Sequence, residues 1–364
     1  MIRLALSILL LSFSGGNVPQ TWTQPIVIAH RGASGERPEH TRAAYDLAID
    51  QGADMIEPDL VMTRDGVLVV RHENEISETT DVEDHPEFSD RRTTRTIDGR
   101  AVTGWFTEDF TLAELKTLRT RERLATLRPG NTSYDDREPI LTFQEVIDIA
   151  REGSRRSGRV IGLAPEMKHP SHFAAIGLDM PSALVTLLAA NDLTSADAPV
   201  LVQCFEVEAL RALNGRIDTP LLQLIASGGG PFDRPDLSYA GMITPQGLEE
   251  IATYAEAIGV DVTLILPRDR TGAALAATPL VDRAHDAGLK IIAWTFRAEN
   301  LFLATGDRRG DPTDPGYIAA HGDLGGMLRA FYALGVDGVF SDFPGLAVAA
   351  RRNENDPGIA SGAA

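Results

Sequence analysis

The sequence predicts an α/β fold, a (β/α)8 TIM barrel with an insertion after the second strand. Three observations lead there. Eight short runs rich in β-branched residues are spread over the 364 residues; helical patterns with start and stop signals separate successive runs; and charged side chains gather where several runs end.

The strands are expected at Ile26–Ala29, Asp54–Asp59, Val160–Pro165, Pro199–Gln203, Pro220–Leu224, Asp261–Ile265, Lys290–Trp294 and Asp337–Ser341. Between them, Thr111 with Glu114 and Thr142 with Glu145 have the spacing of capping boxes, the second helix ending at Gly153. Thr244-Pro245 and Thr278-Pro279 place a cap and a first-turn proline ahead of helices that stop at Gly259 and Gly288. The run Glu57 to His72 has apolar stretches on both sides of Asp65-Gly66 and reads as a hairpin. With those two residues as the loop, Asp59 faces His72 and Glu57 lies diagonal to it. Residues 73–139 are too long and polar for an ordinary barrel loop and read as an inserted region over the mouth; 297–322 reads as a second long loop.

The organisation is therefore a barrel domain over 24–350 and a flexible tail over 351–364, preceded by a signal peptide over 1–16. Met1-Ile2-Arg3, an apolar run from Leu4 to Phe13 and the small residues Ser14, Gly15 and Gly16 have the layout of an export signal, with cleavage expected between Ser14 and Gln20. That run is too short to span a bilayer, and no cysteine follows it to carry a lipid, so an exported, periplasmic protein without a stable membrane anchor is expected. The single cysteine, Cys204, excludes an intramolecular disulfide.

Composition sets further bounds. With 43% hydrophobic and 24% charged residues the chain is that of a globular protein. A formal net charge of −18 repels phosphate backbones at long range, so nucleic acid is not an expected partner. Motifs of serine hydrolases (G-x-S-x-G), P-loop NTPases and H-E-x-x-H zinc proteases are absent.

The chemistry is carried by strand ends. His30 and Arg31 close the first strand. Glu57 and Asp59, two apart and hence on one side of the second, are acidic in an apolar segment, where unpaired burial would cost several kcal/mol. Glu166 and Lys168 repeat the arrangement after the third. Three carboxylates with no cysteine and no His-x-His pair make a hard oxygen site for one divalent ion, Ca²⁺ or Mg²⁺, rather than for Zn²⁺. A network of buried ion pairs through Arg31 and Lys168 is the alternative. Gln203 ends the fourth strand and Trp294 the seventh, where one could donate a hydrogen bond and the other wall a pocket. A carboxylate-bound cation, a guanidinium, an ammonium and the imidazoles of His30 and His72 suit cleavage of a phosphate ester.

These residues resemble the glycerophosphodiester phosphodiesterase family, and within it the exported type, over about Ile26 to Ala350. The most specific pieces are Ala29-His30-Arg31-Gly32-Ala33-Ser34-Gly35 with Pro38-Glu39-His40-Thr41, Glu57-Pro58-Asp59-Leu60-Val61-Met62-Thr63, His72 with Thr80, Pro165-Glu166-Met167-Lys168, Val202-Gln203-Cys204-Phe205 and Ser341-Asp342-Phe343-Pro344. The resemblance implies a (β/α)8 barrel in which Glu57, Asp59 and Glu166 hold the metal, His30 and His72 act as general acid and base, and Arg31 and Lys168 bind the phosphate. Gln203 and Trp294 would then contact substrate, with Glu39 supporting the site from behind. It further implies attack by the glycerol 2-hydroxyl, loss of the alcohol, and opening of a cyclic phosphate to sn-glycerol 3-phosphate; the residues are equally compatible with direct attack by water. Glu73, after His72, departs from the aspartate more usual in the family.

Two other readings use the same barrel. A phospholipase acting on lysophospholipid or phosphoinositide would need an apolar or basic surface to meet a bilayer, and none is evident. A non-enzymatic exported binding protein would not need His30, His72, Arg31 and Lys168 all intact.

Overall fold

The computed structural model describes residues 24–352, so the signal-peptide expectation and the tail beyond Arg352 lie outside the described residues. Arg351, placed in the tail by sequence, instead closes the last helix, Pro344–Arg351, and pairs with Asp54.

The sheet is closed. The first strand, Ile26–His30, lies parallel between the last, Gly338–Ser341, and the second, Met55–Glu57. The second continues as Asp59–Met62 after Pro58, and the third is likewise split by Pro165 into Gly162–Leu163 and Glu166–Met167. A proline has no N–H to give the ladder, which breaks at both positions. Pairing resumes beyond the break, with Asp59 beside Glu166 and Glu166 beside Gln203. Val202–Cys204, Leu221–Ile225, Ala257–Asp261 and Lys290–Phe296 complete the ring in parallel order. Side chains alternate across these strands, so one apolar set, including Ile28, Met55, Leu222, Ile292 and Phe340, fills the barrel, and a larger one packs the helices outside it.

Four expectations are corrected. The sixth strand is Ala257–Asp261, while Val262–Ile265 turns into a helix whose first residues are capped by Asp261. Barrel packing overrides the β-propensity of Val262 to Ile265: a Cβ on Gly259 would stand 2.7 Å from Leu222 and Leu224, and only a small residue fits that slot. Gly259 is therefore a strand residue, and the helix begun by Thr244-Pro245 ends at Ile251. The helix capped by Thr142 and Glu145 runs from Phe143 to Ser157 and ends at left-handed Gly158; Gly153 sits inside it, against Ile49. The hairpin loop has three residues rather than two. Thr63 pairs with Val67 around Arg64-Asp65-Gly66, with Gly66 at φ +79°, so Leu60 opposes Val70 and Asp59 opposes Arg71, not His72.

Both capping boxes form, and Gly288 ends the helix Leu280–Asp286 in the left-handed conformation, but Thr278 does not cap that helix: Pro279 stands at its start and the Thr278 hydroxyl donates to the Leu264 carbonyl. Residues 73–139 hold short helical turns and an antiparallel hairpin, Thr93–Ile97 with Arg100–Gly104. None of the helices among the described residues is long and apolar enough to cross a membrane.

Candidate active site

The carboxyl ends of the strands open into a cleft of about 490 Å³ whose wall includes His30, Arg31, His72, Glu166, Lys168, Gln203 and Trp294. Arg31 and Gly32 leave the first strand in left-handed conformations, φ +59° and +83°. Gly32 is required there, since a Cβ would meet the Ala44 backbone at 2.7 Å, where the helix Arg42–Asp50 packs close. The turn aims the Arg31 N–H at Glu57 Oε2, 2.6 Å away, and its guanidinium at Glu39, with Nη1 2.8 Å from Oε2.

Glu57, Asp59 and Glu166 are buried and each offers an oxygen within 4.8 Å of the others'. Burial and the charges of Asp59 and Glu166 push the Glu57 carboxyl well up; burial, only partly offset by Lys168, brings Glu166 to about 7. Burial acts the same way on Asp59, but Lys168, His72 and the His40 hydrogen bond hold it well below the usual carboxylate range. Asp59 Oδ1 has no hydrogen-bond partner although it is sealed from solvent. An orphaned buried oxygen between two carboxylates that resist ionising together is what a divalent cation would satisfy, and the all-oxygen set suits Ca²⁺ or Mg²⁺. The alternative ion pairs also exist: Lys168 Nζ is 2.7 Å from Glu166 and 3.8 Å from Asp59. They leave Asp59 Oδ1 without a hydrogen bond, so they do not complete the site.

Each cleft histidine has Nδ1 tied to a carboxylate. His30 Nδ1 lies 2.6 Å from Asp342 Oδ1, and His72 Nδ1 contacts Glu73 Oε1. These bonds place the proton on Nδ1 and leave Nε2 for the cleft. Burial, with Arg31 nearby, lowers His30 to about 4; burial with Arg31 and Lys168 lowers His72 to about 3. Both rings are neutral near pH 7 in the ion-free protein.

Not every expected side chain is free for substrate. Gln203 spends its amide nitrogen on the Ala164 carbonyl at 2.9 Å, with Glu57 at 3.5 Å, and so supports Glu57 from beneath. Trp294 walls the cleft edge-on to Phe205, its indole N–H without a partner. Glu39 sits behind Arg31, where it also accepts from Arg123.

Sequence reasoning missed the residues that hold these groups: His40, Arg123, Arg128 and Arg297, and the roles of Glu73 and Asp342. His40 and Asp342 stand within recognisable motifs, which was a usable signal. Arg123 and Arg128 come from a polar stretch with no motif, where an arginine reads as surface charge.

Three converging carboxylates, two carboxylate-backed imidazoles and two cations at the mouth of a closed (β/α)8 barrel are a set suited to cleaving phosphate esters. The model of the glycerophosphoryl diester phosphodiesterase family matches residues 30–346, and the chain belongs to that family. It is 34% identical to a glycerophosphodiester phosphodiesterase of Arabidopsis thaliana over 90% of this chain and 86% of that one. It is 28% identical to the glycerophosphodiester phosphodiesterase of Haemophilus influenzae over 89% of each. A solved phosphodiesterase of Oleispira antarctica, in complex with its product sn-glycerol-3-phosphate, shares the fold at TM-score 0.59 and 22% identity, covering 90% of this chain and 96% of that one. The barrel and hydrolase activity on glycerophosphodiesters follow from this membership.

Proposed function

We propose that this enzyme hydrolyses glycerophosphodiesters such as glycerophosphocholine and glycerophosphoethanolamine to sn-glycerol 3-phosphate and the free alcohol, in an exported location. The observation that carries the reading is the pairing of two imidazoles, each fixed through Nδ1, on one cleft with the three carboxylates. Glu57, Asp59 and Glu166 would hold one divalent ion, Ca²⁺ or Mg²⁺, which when bound polarises the phosphoryl group. Arg31 and Lys168 take the phosphate oxygens and absorb charge that develops as phosphorus is attacked. One imidazole removes the proton from the attacking oxygen through Nε2. The other delivers a proton to the departing alcohol, since the anionic diester lying against both rings favours the protonated form of one.

Release of sn-glycerol 3-phosphate from glycerophosphocholine by the mature protein tests this. Activity abolished by EDTA and restored by Ca²⁺ or Mg²⁺ is expected. No release with either ion, from this substrate or from glycerophosphoethanolamine, would overturn the reading. For the location, recovery from the periplasm with an amino terminus from Gly15 to Gln20 is expected.

A further inference from the structure

Two holders of the reacting groups come from one short stretch of the inserted region. Arg123 grips both oxygens of Glu39, with Nε at 3.0 Å and Nη2 at 2.6 Å, and Nη2 also lies 2.6 Å from Glu73 Oε2. Glu39 in turn accepts from Arg31, and Glu73 from His72. Further along, Arg128 commits all three guanidinium nitrogens: Nε to Glu299 Oε1 at 2.6 Å, Nη1 to the Ser34 carbonyl at 2.8 Å, and Nη2 to Asp342 Oδ2 at 2.6 Å. The other Asp342 oxygen holds His30. The stretch is itself tied down, because Asn131 donates to Glu122 at 2.9 Å and to the Ser34 carbonyl at 3.2 Å.

We propose that Arg123 and Arg128 are positioning residues through which the segment 122–131 sets the orientation of His72, Arg31 and His30. A carboxylate that binds an imidazole by one oxygen can still swivel; a guanidinium on its second oxygen stops it, and the ring with it. Arg123 does this at Glu73, and Arg128 at Asp342, whose Oδ2 also accepts from Arg297 Nε at 3.0 Å. Arg123 also fixes Glu39 and so the Arg31 fork. Arg128, Glu39 and Asp342 are buried, with side-chain exposures of 6%, 8% and 3%, so water is a poor substitute there; Arg123 is 18% and Glu73 38% exposed, so the link to His72 is the wetter of the two. The inserted region thereby completes the barrel's site without supplying a group to the cleft floor. Both arginines line a recess of about 250 Å³ together with His30 and His72, which makes direct contact with substrate the competing role.

The proposal rests on the functional reading above, and the experiment separates the two. Arg123→Gln and Arg128→Gln are assayed with glycerophosphocholine and the restoring ion, alongside selective ¹⁵N labelling of histidine. Each variant is expected to lose roughly 10- to 100-fold in kcat with KM changed by less than about twofold, because misplaced groups impair the transition state more than binding. The Nδ1-protonated signals of His72 in the first variant and His30 in the second should give way to a tautomer mixture. Arg128→Lys should not rescue, since an ammonium cannot reach three fixed acceptors in the guanidinium plane. Glu299→Gln, which acts on the site only through Arg128, should shift kcat and the His30 signal in the same direction, and it decides the matter if the arginine variants do not fold. A large rise in KM at unchanged kcat would overturn the proposal in favour of substrate contact, and unchanged kinetics with unchanged tautomers would overturn it outright. If the wild type releases no product, the functional reading falls and the imidazole signals alone decide this one.

Discussion

His40 Nε2 lies 2.9 Å from Asp59 Oδ2, and both side chains are sealed from solvent. The other ring nitrogen is 2.9 Å from the Tyr45 hydroxyl, on the helix that follows. Asp59 is thus held through Oδ2 while Oδ1 is left without a hydrogen bond, so the first helix, through Tyr45 and His40, helps to set the orientation of this carboxylate. Asn tolerates the left-handed backbone at His40, φ +59°, but cannot span both partners. His40→Asn should bind Ca²⁺ about 10- to 100-fold more weakly by calorimetry. Unchanged affinity would show that Asp59 needs no such partner.

His30→Ala and His72→Ala should each lower kcat by roughly 10²- to 10⁴-fold while circular dichroism and cooperative melting persist. Neither ring belongs to the apolar packing of the barrel, so stability should change little. Turnover near the wild-type level in either variant would remove that residue from the acid–base pair.

Glu57→Gln should have opposite effects with and without metal. Burial beside Asp59 and Glu166 makes the Glu57 charge unfavourable in the ion-free protein, so the amide should raise the melting temperature in EDTA. With one ligand charge lost, the increment in melting temperature on adding Ca²⁺ should shrink and the rate should fall. The same increment as wild type would place the ion elsewhere.

For pH, His72 has its folded pKa lowered from 6.5 to about 3, chiefly by burial. A histidine held neutral contributes stability that is present above 6.5 and is lost as the pH falls toward 3, because the unfolded chain takes up the proton first. In EDTA, wild type should therefore lose stability relative to His72→Asn between pH 6.5 and 4.5. Urea unfolding of both proteins across that range measures it; a difference independent of pH would mean that the folded ring carries charge.

Much of the architecture was legible because its signals are local. Capping boxes at Thr111 and Thr142 follow from side chains three residues apart, and seven of the eight barrel strands fall on the expected runs, with ends moved by a few residues. The sixth was misplaced because the choice between Ala257–Asp261 and the β-branched stretch after it depends on Leu222 and Leu224 of the neighbouring strand. The hairpin slipped by one residue because whether Arg64 pairs with Val67 or belongs to the loop is a matter of backbone conformation at Gly66.

The sequence by itself determined the barrel class and which residue types stand at the strand ends, since alternation along a strand sends Glu57 and Asp59 to one side whatever surrounds them. Only the tertiary structure decided what those residues do for one another. Arg123 and Arg128 lie far along the chain from His30 and His72, and hydrogen-bond partners across such separations are chosen by packing, which no local pattern of residues encodes. The same holds for Gln203, which the strand end alone offered to substrate and the folded barrel turns toward Ala164 and Glu57.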